Sequence, residues 1–485
     1  MNRNALSLAG AVVVLAVLTG AATMNSGDSS DAAPAASAAR LPVQRSSLLC
    51  PEPSSSEFAT TQYTSFTPKG TGQADGSAKL MPITPKAKPL LPQTQAGKPA
   101  TTSTEKSDAP ALIGTADGAL APGWTVQQTT VVDSGDGRGL LGASCAVPDT
   151  EFWFPGASTE ANRQDYVELV NPDPTPAVVD IDLYGKDGLL KASSGDGITV
   201  AGGTSKPVLL STVVPQKTAD LTAHVVARSG RVGALLQVTD TKAGADWMAP
   251  AAEPATSLVL PGIPADATDV RLEVYASGSD DADLTLKLAT STGTITPAGH
   301  ETLHVKSGMT ASADLGDVTK GDPASLIIGS SAAHTPVPVV AGLRVTRGKG
   351  DKQEIAFLPA VSRIDTRASA ADNRAKGSTL SLTAIGQDTT VRVTSSAGSG
   401  GGTPASKVVT VKAGTTSAVT PPQPAGLKGT YAVTVERVSG GQLYASRTLA
   451  LPLDGVQMFT IQPMPDDHST VSVPQAVPDL GVLDH

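Results

Sequence analysis

A short strand running into a glycine-ended turn occurs three times in this chain: Ile198-Thr199-Val200-Ala201-Gly202-Gly203, Leu303-His304-Val305-Lys306-Ser307-Gly308 and Val409-Thr410-Val411-Lys412-Ala413-Gly414. The final glycines stand 105 and 106 residues apart. Two alternating apolar residues enter each turn, and a residue free to take positive φ closes it. Such a period predicts several copies of one structural unit. A second series frames the copies. An apolar residue followed by proline ends an apolar run at Leu41-Pro42, Phe154-Pro155, Leu260-Pro261, Leu358-Pro359 and Leu451-Pro452, at intervals of 113, 106, 98 and 93 residues. A third series, at 223–240, 326–347 and 431–449, is a β-rich run, a Gly-bearing break and another β-rich run, which reads as a hairpin. The first frame matches least; its residues 137–147 resemble only the last strand of the others.

These series predict a first unit at 40–150, then units at 151–255, 256–355 and 356–462, with a loose tail at 463–485. In the second unit, strands are expected at 152–154, 166–170, 178–184, 198–200, 208–210, 221–228 and 232–239. Val179, Ile181 and Leu183 alternate with Asp180, Asp182 and Tyr184, so one face is buried and the other solvated. Seven short strands in about 100 residues predict an all-β chain of tandem immunoglobulin-like β-sandwich units. No Cys…Trp…Cys pattern is present, so the expectation is a sandwich, not a true immunoglobulin domain. The alternative is a β-propeller, each unit being two four-stranded blades, although no half-unit repeat is visible. Aromatic residues are only 3% of the chain, so the cores must be built mainly from Val, Leu, Ile and Ala. A net charge of −9 argues against a nucleic-acid surface, which needs clustered Lys and Arg.

The amino-terminal residues 1–39 read as an export segment. Arg3 precedes an uncharged stretch at 5–24, and Ala36-Ser37-Ala38 offers a cleavage site. The stretch is also long enough to stay as a membrane anchor with an outside body. Both outcomes remain open. Cys50 follows Leu48-Leu49, which argues against a lipoprotein. Cys50 and Cys145 sit near the two ends of the first unit, and in an exported chain they are expected to form a disulfide. Residues 68–110 carry Lys69, Lys79, Lys86, Lys88, Lys98 and Lys106 among Pro, Thr, Gly and Ala. They read as a long flexible insertion, or as a basic arm for an anionic wall polymer.

Signals of chemistry are weak. His300-Glu301-Thr302-Leu303-His304 matches the zinc-protease pattern H-E-x-x-H, which needs both His on one helix turn. The repeat places Leu303-His304-Val305 on a strand, where His300 and His304 would lie about 13 Å apart. No nucleophile elbow or phosphate-binding loop is present. His224, His334, His468 and His485 have no recognisable partners. The acidic clusters Asp133-Ser134-Gly135-Asp136, Asp180 with Asp182, and Asp280-Asp281-Ala282-Asp283 lack a full calcium ligand set. Trp124, Trp153 with Phe154, and Trp247 are the aromatic candidates for a glycan; Trp153, Phe154 and Trp124 are retained as candidate contacts.

Several stretches resemble an actinobacterial exported family known as a domain of unknown function. They are the export segment with its Ala-rich sequel, Leu41-Pro42-Val43 running into Ser46-Ser47-Leu48-Leu49-Cys50-Pro51, Cys145 followed by Trp153-Phe154-Pro155-Gly156, and 165–172. The resemblance implies an envelope protein and no activity, cofactor or catalytic residue. The expectation is therefore a non-catalytic, exported cell-envelope protein, a structural or interaction scaffold with no cofactor. Its partner would be an envelope protein or a cell-wall polymer, and the membrane itself through residues 5–24 if the signal is uncleaved. The alternatives are a wall-glycan-binding protein and a zinc hydrolase acting through His300, Glu301 and His304.

Overall fold

The computed structural model describes residues 39–473 apart from 71–74, 85 and 333–334. Residues 1–38 of the expected export segment (1–39), His334, and residues 474–485 of the expected tail (463–485), with His485, lie outside the described residues. The structure is nearly all β. Among the described residues no helix is long and apolar enough to cross a membrane. Ala39–Pro42 and Thr470–Val473 form a two-stranded ribbon, in a small unit of its own. The body, residues 42–469, is one compact unit.

That body repeats one eight-stranded plan four times. In the first copy the strands are Arg45–Cys50, Ala59–Phe66, Gly76–Pro82, Leu91–Gln93, Ala100–Thr104, Leu112–Gly118, Thr125–Val132 and Gly139–Ser144. They form two antiparallel sheets, in the orders 1-6-3-4 and 5-2-7-8. The second copy spans Glu151–Ala157 to Gly244–Met248, the third Ser257–Ile263 to Glu354–Pro359, each with the same orders and one extra two-residue strand. In the fourth, strands two and three are continuous as Ser378–Ser395, and six and seven as Tyr431–Ala450. Its last strand is Phe459–Pro463. The sheets face each other across apolar cores; in the second copy Val179, Ile181 and Leu183 are buried as their alternation requires. These are β-sandwich units. The immunoglobulin pairings of strand two with five and three with six are kept, whereas strands one and seven have exchanged sheets. Each sheet draws strands from across its whole unit, so the sheets are not the sequential blades of a propeller.

The repeated turn is where the sequence puts it. Gly203, Gly308 and Gly414 have φ of 65°, 67° and 70°, the left-handed conformation that glycine adopts at no steric cost. Other expectations are corrected. The predicted hairpins are corners: 221–229 pairs within one sheet and 233–240 within the other, so the break sends the chain across the sandwich. The apolar-proline joints are not equivalent places. Phe154-Pro155 and Leu260-Pro261 lie in first strands, but Leu358-Pro359 lies in an eighth strand that pairs with Val339–Arg347. The third unit therefore runs to Pro359, and the boundary expected at 355/356 falls inside a strand. Nor is 68–110 a loose insertion. It supplies strands three, four and five of the first sandwich, because Ala78, Leu80 and Leu91 turn into the core while the lysines face out.

The four units close into a ring. Their eighth strands contact one another in cyclic order, and each also packs apolar side chains against the unit before it. Phe357 and Ile355 of the third unit lie in the second unit's core with Phe154 and Ile181. Phe459 and Ile461 of the fourth lie in the third's. Trp247 of the second packs with Ala59, Val132 and Leu141 of the first. Leu140 of the first packs with Leu449 and Met458 of the fourth. Burying each large side chain contributes about 1.5–3 kcal/mol, so apolar contact alone ties every unit to its neighbours.

Candidate functional site

The seams between units hold several of the body's buried charges. Asp246, on the second unit's eighth strand, is fully buried and accepts the Gly142 N–H at 2.9 Å and the Trp247 N–H at 2.8 Å. Burial pushes its carboxyl well above the ordinary range, against these hydrogen bonds. Glu354, on the third unit's eighth strand, takes an ion pair from Arg138 of the first unit at 2.9 Å. Arg138 also donates to the carbonyls of Asp351 and Gln353. Burial raises Glu354 to about 7, although Arg138 opposes the shift. At the seam from the fourth unit to the first, Arg447 is fully buried and donates to Gln127 Oε1 at 3.0 Å and to Gln462. Gln127 Oε1 also accepts the Asp372 N–H. Burial lowers Arg447 to about 10. The sequence signal for these residues is a lone charge beside or inside a strand-length apolar run, a pattern that matches no site motif.

The second cluster joins the outer face of the second unit to the third. Strand register sets Trp153, His224 and Asp182 side by side. The Trp153 ring stacks on His224 at 3.5 Å and on Tyr275 at 5.2 Å. His224 Nε2 lies 2.8 Å from Glu151. Burial lowers the His224 pKa, and the Glu151 hydrogen bond pulls it back up. Trp153 is thus a buried seam residue whose stacking partners are already in place. Phe154 is fully buried in the second core, and Trp124 is buried in the first, donating its Nε1–H to Ser65 at 2.8 Å. None of the three candidate glycan contacts presents a free ring face.

His304 lies on the strand Thr302–Val305, paired with Ala282–Ala289, and not on a helix. Its ring nitrogens face Asp283 at 2.9 Å and Asp281 at 3.5 Å. Glu301 folds back onto the Gly299 N–H. His300, Glu301 and His304 therefore do not form the helical pair of the zinc-protease pattern. Among the described residues no group of three or more His, Cys, Asp or Glu is arranged to hold a metal ion. Asp180 is paired with Arg228 and accepts the Gly197 N–H. Cys50 and Cys145 are joined as a disulfide that closes the first sandwich between strand one and the end of strand eight.

One open groove, of about 630 Å³, lies where the first and fourth units meet. Leu90, Thr94, Lys98 and Thr102 line it from the first unit, Ser399 and Gly400 from the fourth. Its walls hold no carboxylate and no aromatic ring, and Lys98 is their one charge.

With this geometry in hand, comparison adds one relationship. The profile of a family of unknown function (DUF5719) matches residues 100–422. No match was found among curated proteins.

Proposed function

The chain belongs to that family of unknown function, and from its own residues we propose that it is a non-catalytic, exported scaffold of the cell envelope. The observation that carries this reading is the cyclic plugging of eighth strands: Phe357 and Phe459 fill a neighbour's core, and Trp247 and Leu140 are buried against a neighbour at the other two seams. A body built this way holds its surface loops at fixed separations, which suits holding partners in place. Export is supported by the uncharged stretch at 5–24 after Arg3 and by the buried disulfide. Glycan binding through aromatic rings has less support, because Trp124, Trp153 and Phe154 are committed to cores and seams.

In-cell cross-linking of the tagged protein on intact cells, followed by denaturing purification, tests the proposal. A reproducible envelope protein joined to the chain is the expected result. Recovery of wall polymer alone would transfer the role to glycan binding, and recovery of neither would overturn the scaffold.

A further inference from the structure

The four seams follow one rule that the last of them breaks. In three seams the fifth strand of one unit reaches the unit before it. Ser205 Oγ donates to Glu52 of the first unit. Thr310 Oγ1 donates to the Tyr184 carbonyl at 2.8 Å and to Thr222 at 3.0 Å, both of the second. Thr416 donates from Oγ1 to Ser325 at 2.8 Å and from its N–H to the Thr290 carbonyl at 2.9 Å, both of the third. The corresponding strand of the first unit, Ala100–Thr104, should reach the fourth. Like every fifth strand it pairs with its own second strand, here Ala59–Phe66, but among the described residues no hydrogen bond carries it to the fourth unit, and the groove lies in that place. On the fourth unit's side, the hydroxyls that would receive such a contact are Ser395, at the end of strand three, and Thr430, just before strand six. Both are buried, and among the described residues neither hydroxyl has a hydrogen-bond partner. Thr430 is joined through its backbone to Ser399 of the groove wall.

The open edge is also unguarded. Natural sheet edges are blunted by lysine, proline or internal charge. The fifth strand of the second unit contains Lys206 and Pro207, and that of the third contains Asp314; that of the fourth, Thr415–Val419, has neither guard, but its Thr415, Thr416 and Val419 are buried. Ala100–Thr104 reads Ala-Thr-Thr-Ser-Thr, with no charge and no proline.

We infer that this seam groove receives an extended, neutral-to-acidic polypeptide segment of a partner protein, which adds as a strand along Ala100–Thr104. Backbone pairing supplies the affinity, as in other additions to a free sheet edge. Lys98 sets the charge preference, and the small side chains of the groove admit Thr, Ser and Val. The absence of aromatic rings from the wall disfavours a sugar, which stacks on such rings. The inference rests on the scaffold reading and names the chemistry of its partner.

The test titrates the full-length protein against labelled synthetic peptides: alternating Thr and Val with two Glu, the same with two Lys, and the Glu peptide with a central Pro. Oligosaccharide fragments of cell wall are titrated alongside. The expected result is saturable binding of the Glu peptide, about tenfold weaker for the Lys and Pro peptides, a factor equal to about 1.4 kcal/mol. Thr94→Trp, at an exposed place in the groove, should weaken it by at least about tenfold, and Lys98→Glu should reverse the charge preference; both should keep the parent melting temperature. Absence of peptide binding, binding indifferent to Thr94→Trp and Lys98→Glu, or oligosaccharide binding that Thr94→Trp abolishes would each overturn the inference. On cells, a cross-linked partner retained by the Thr94→Trp protein would leave the scaffold standing and remove the groove from it. Peptide binding in solution with no partner on cells would do the reverse.

Discussion

The carboxylate of Asp246 accepts the backbone N–H of Gly142 at 2.9 Å, joining the eighth strands of two successive units. The approach depends on glycine. A Cβ at position 142 would stand 2.5 Å from Thr460 Cγ2 of the fourth unit, so three units meet at this residue. Gly142→Ala should therefore destabilise the body by about 1–3 kcal/mol, the usual cost of overpacking. Chemical denaturation would measure it, and an unchanged midpoint would mean that Thr460 yields without strain.

Phe357 belongs by sequence to the third unit and by packing to the second. Phe357→Ala should cost about 3–5 kcal/mol, and its effect should spread. Hydrogen exchange should accelerate at Val179 and Ile181 as well as at Arg344, its partner across the strand Val339–Arg347. Exchange confined to the third unit would contradict the plugging.

Four buried carboxyls make stability depend on pH with an unusual sign. Burial raises Glu168 and Glu273 to about 8 and Glu354 to about 7, and raises Asp246 too. In the unfolded chain the glutamates return to about 4.5. Between these values the folded state holds more protons than the unfolded one, so stability falls as pH rises from about 4.5 to about 8. The denaturant midpoint should be higher at pH 5 than at pH 8, and Glu273→Gln should flatten the slope. A midpoint that rises across this window would rule the account out.

The Cys50–Cys145 disulfide spans 95 residues. Loop closure of that length contributes about 4–5 kcal/mol in the chain-entropy model. A Cys50→Ser, Cys145→Ser double variant should lose stability of that order. Loss should appear first at Gly139–Ser144, the strand that ends at the bridge.

The glycine turns, the alternation at Val179, Ile181 and Leu183, and the paired cysteines were legible because each is a local rule expressed in adjacent residues. Ring closure was not legible. An eighth strand such as Glu354–Pro359 is apolar on both faces: Ala356 and Leu358 turn to their own core, Ile355 and Phe357 to the neighbour's. A run buried on both faces reads the same whether one unit or two bury it. Strands at 76–82 and 91–93 were hidden by Lys79, Pro82 and Pro92, which dilute their short apolar side, Ala78, Leu80 and Leu91, and the strand at 100–104 has no large apolar side chain to mark it. The sequence did not show how the aromatic residues are used: Trp124 and Phe154 pack in cores and Trp153 in a seam. The groove left no motif, since it is defined by a contact that three seams make and the fourth does not.

Cyclic plugging also fixes how many copies of the unit this architecture tolerates. In an open tandem array a repeat can be lost or gained by recombination, and the survivors still fold. Here every unit owes part of its interior to the next, and the last owes it to the first. Excising one would bring an unmatched plug to an ill-fitting socket, like a hoop short of a stave. Variation in such a lineage should therefore be confined to loops and termini, with the number of units held at four.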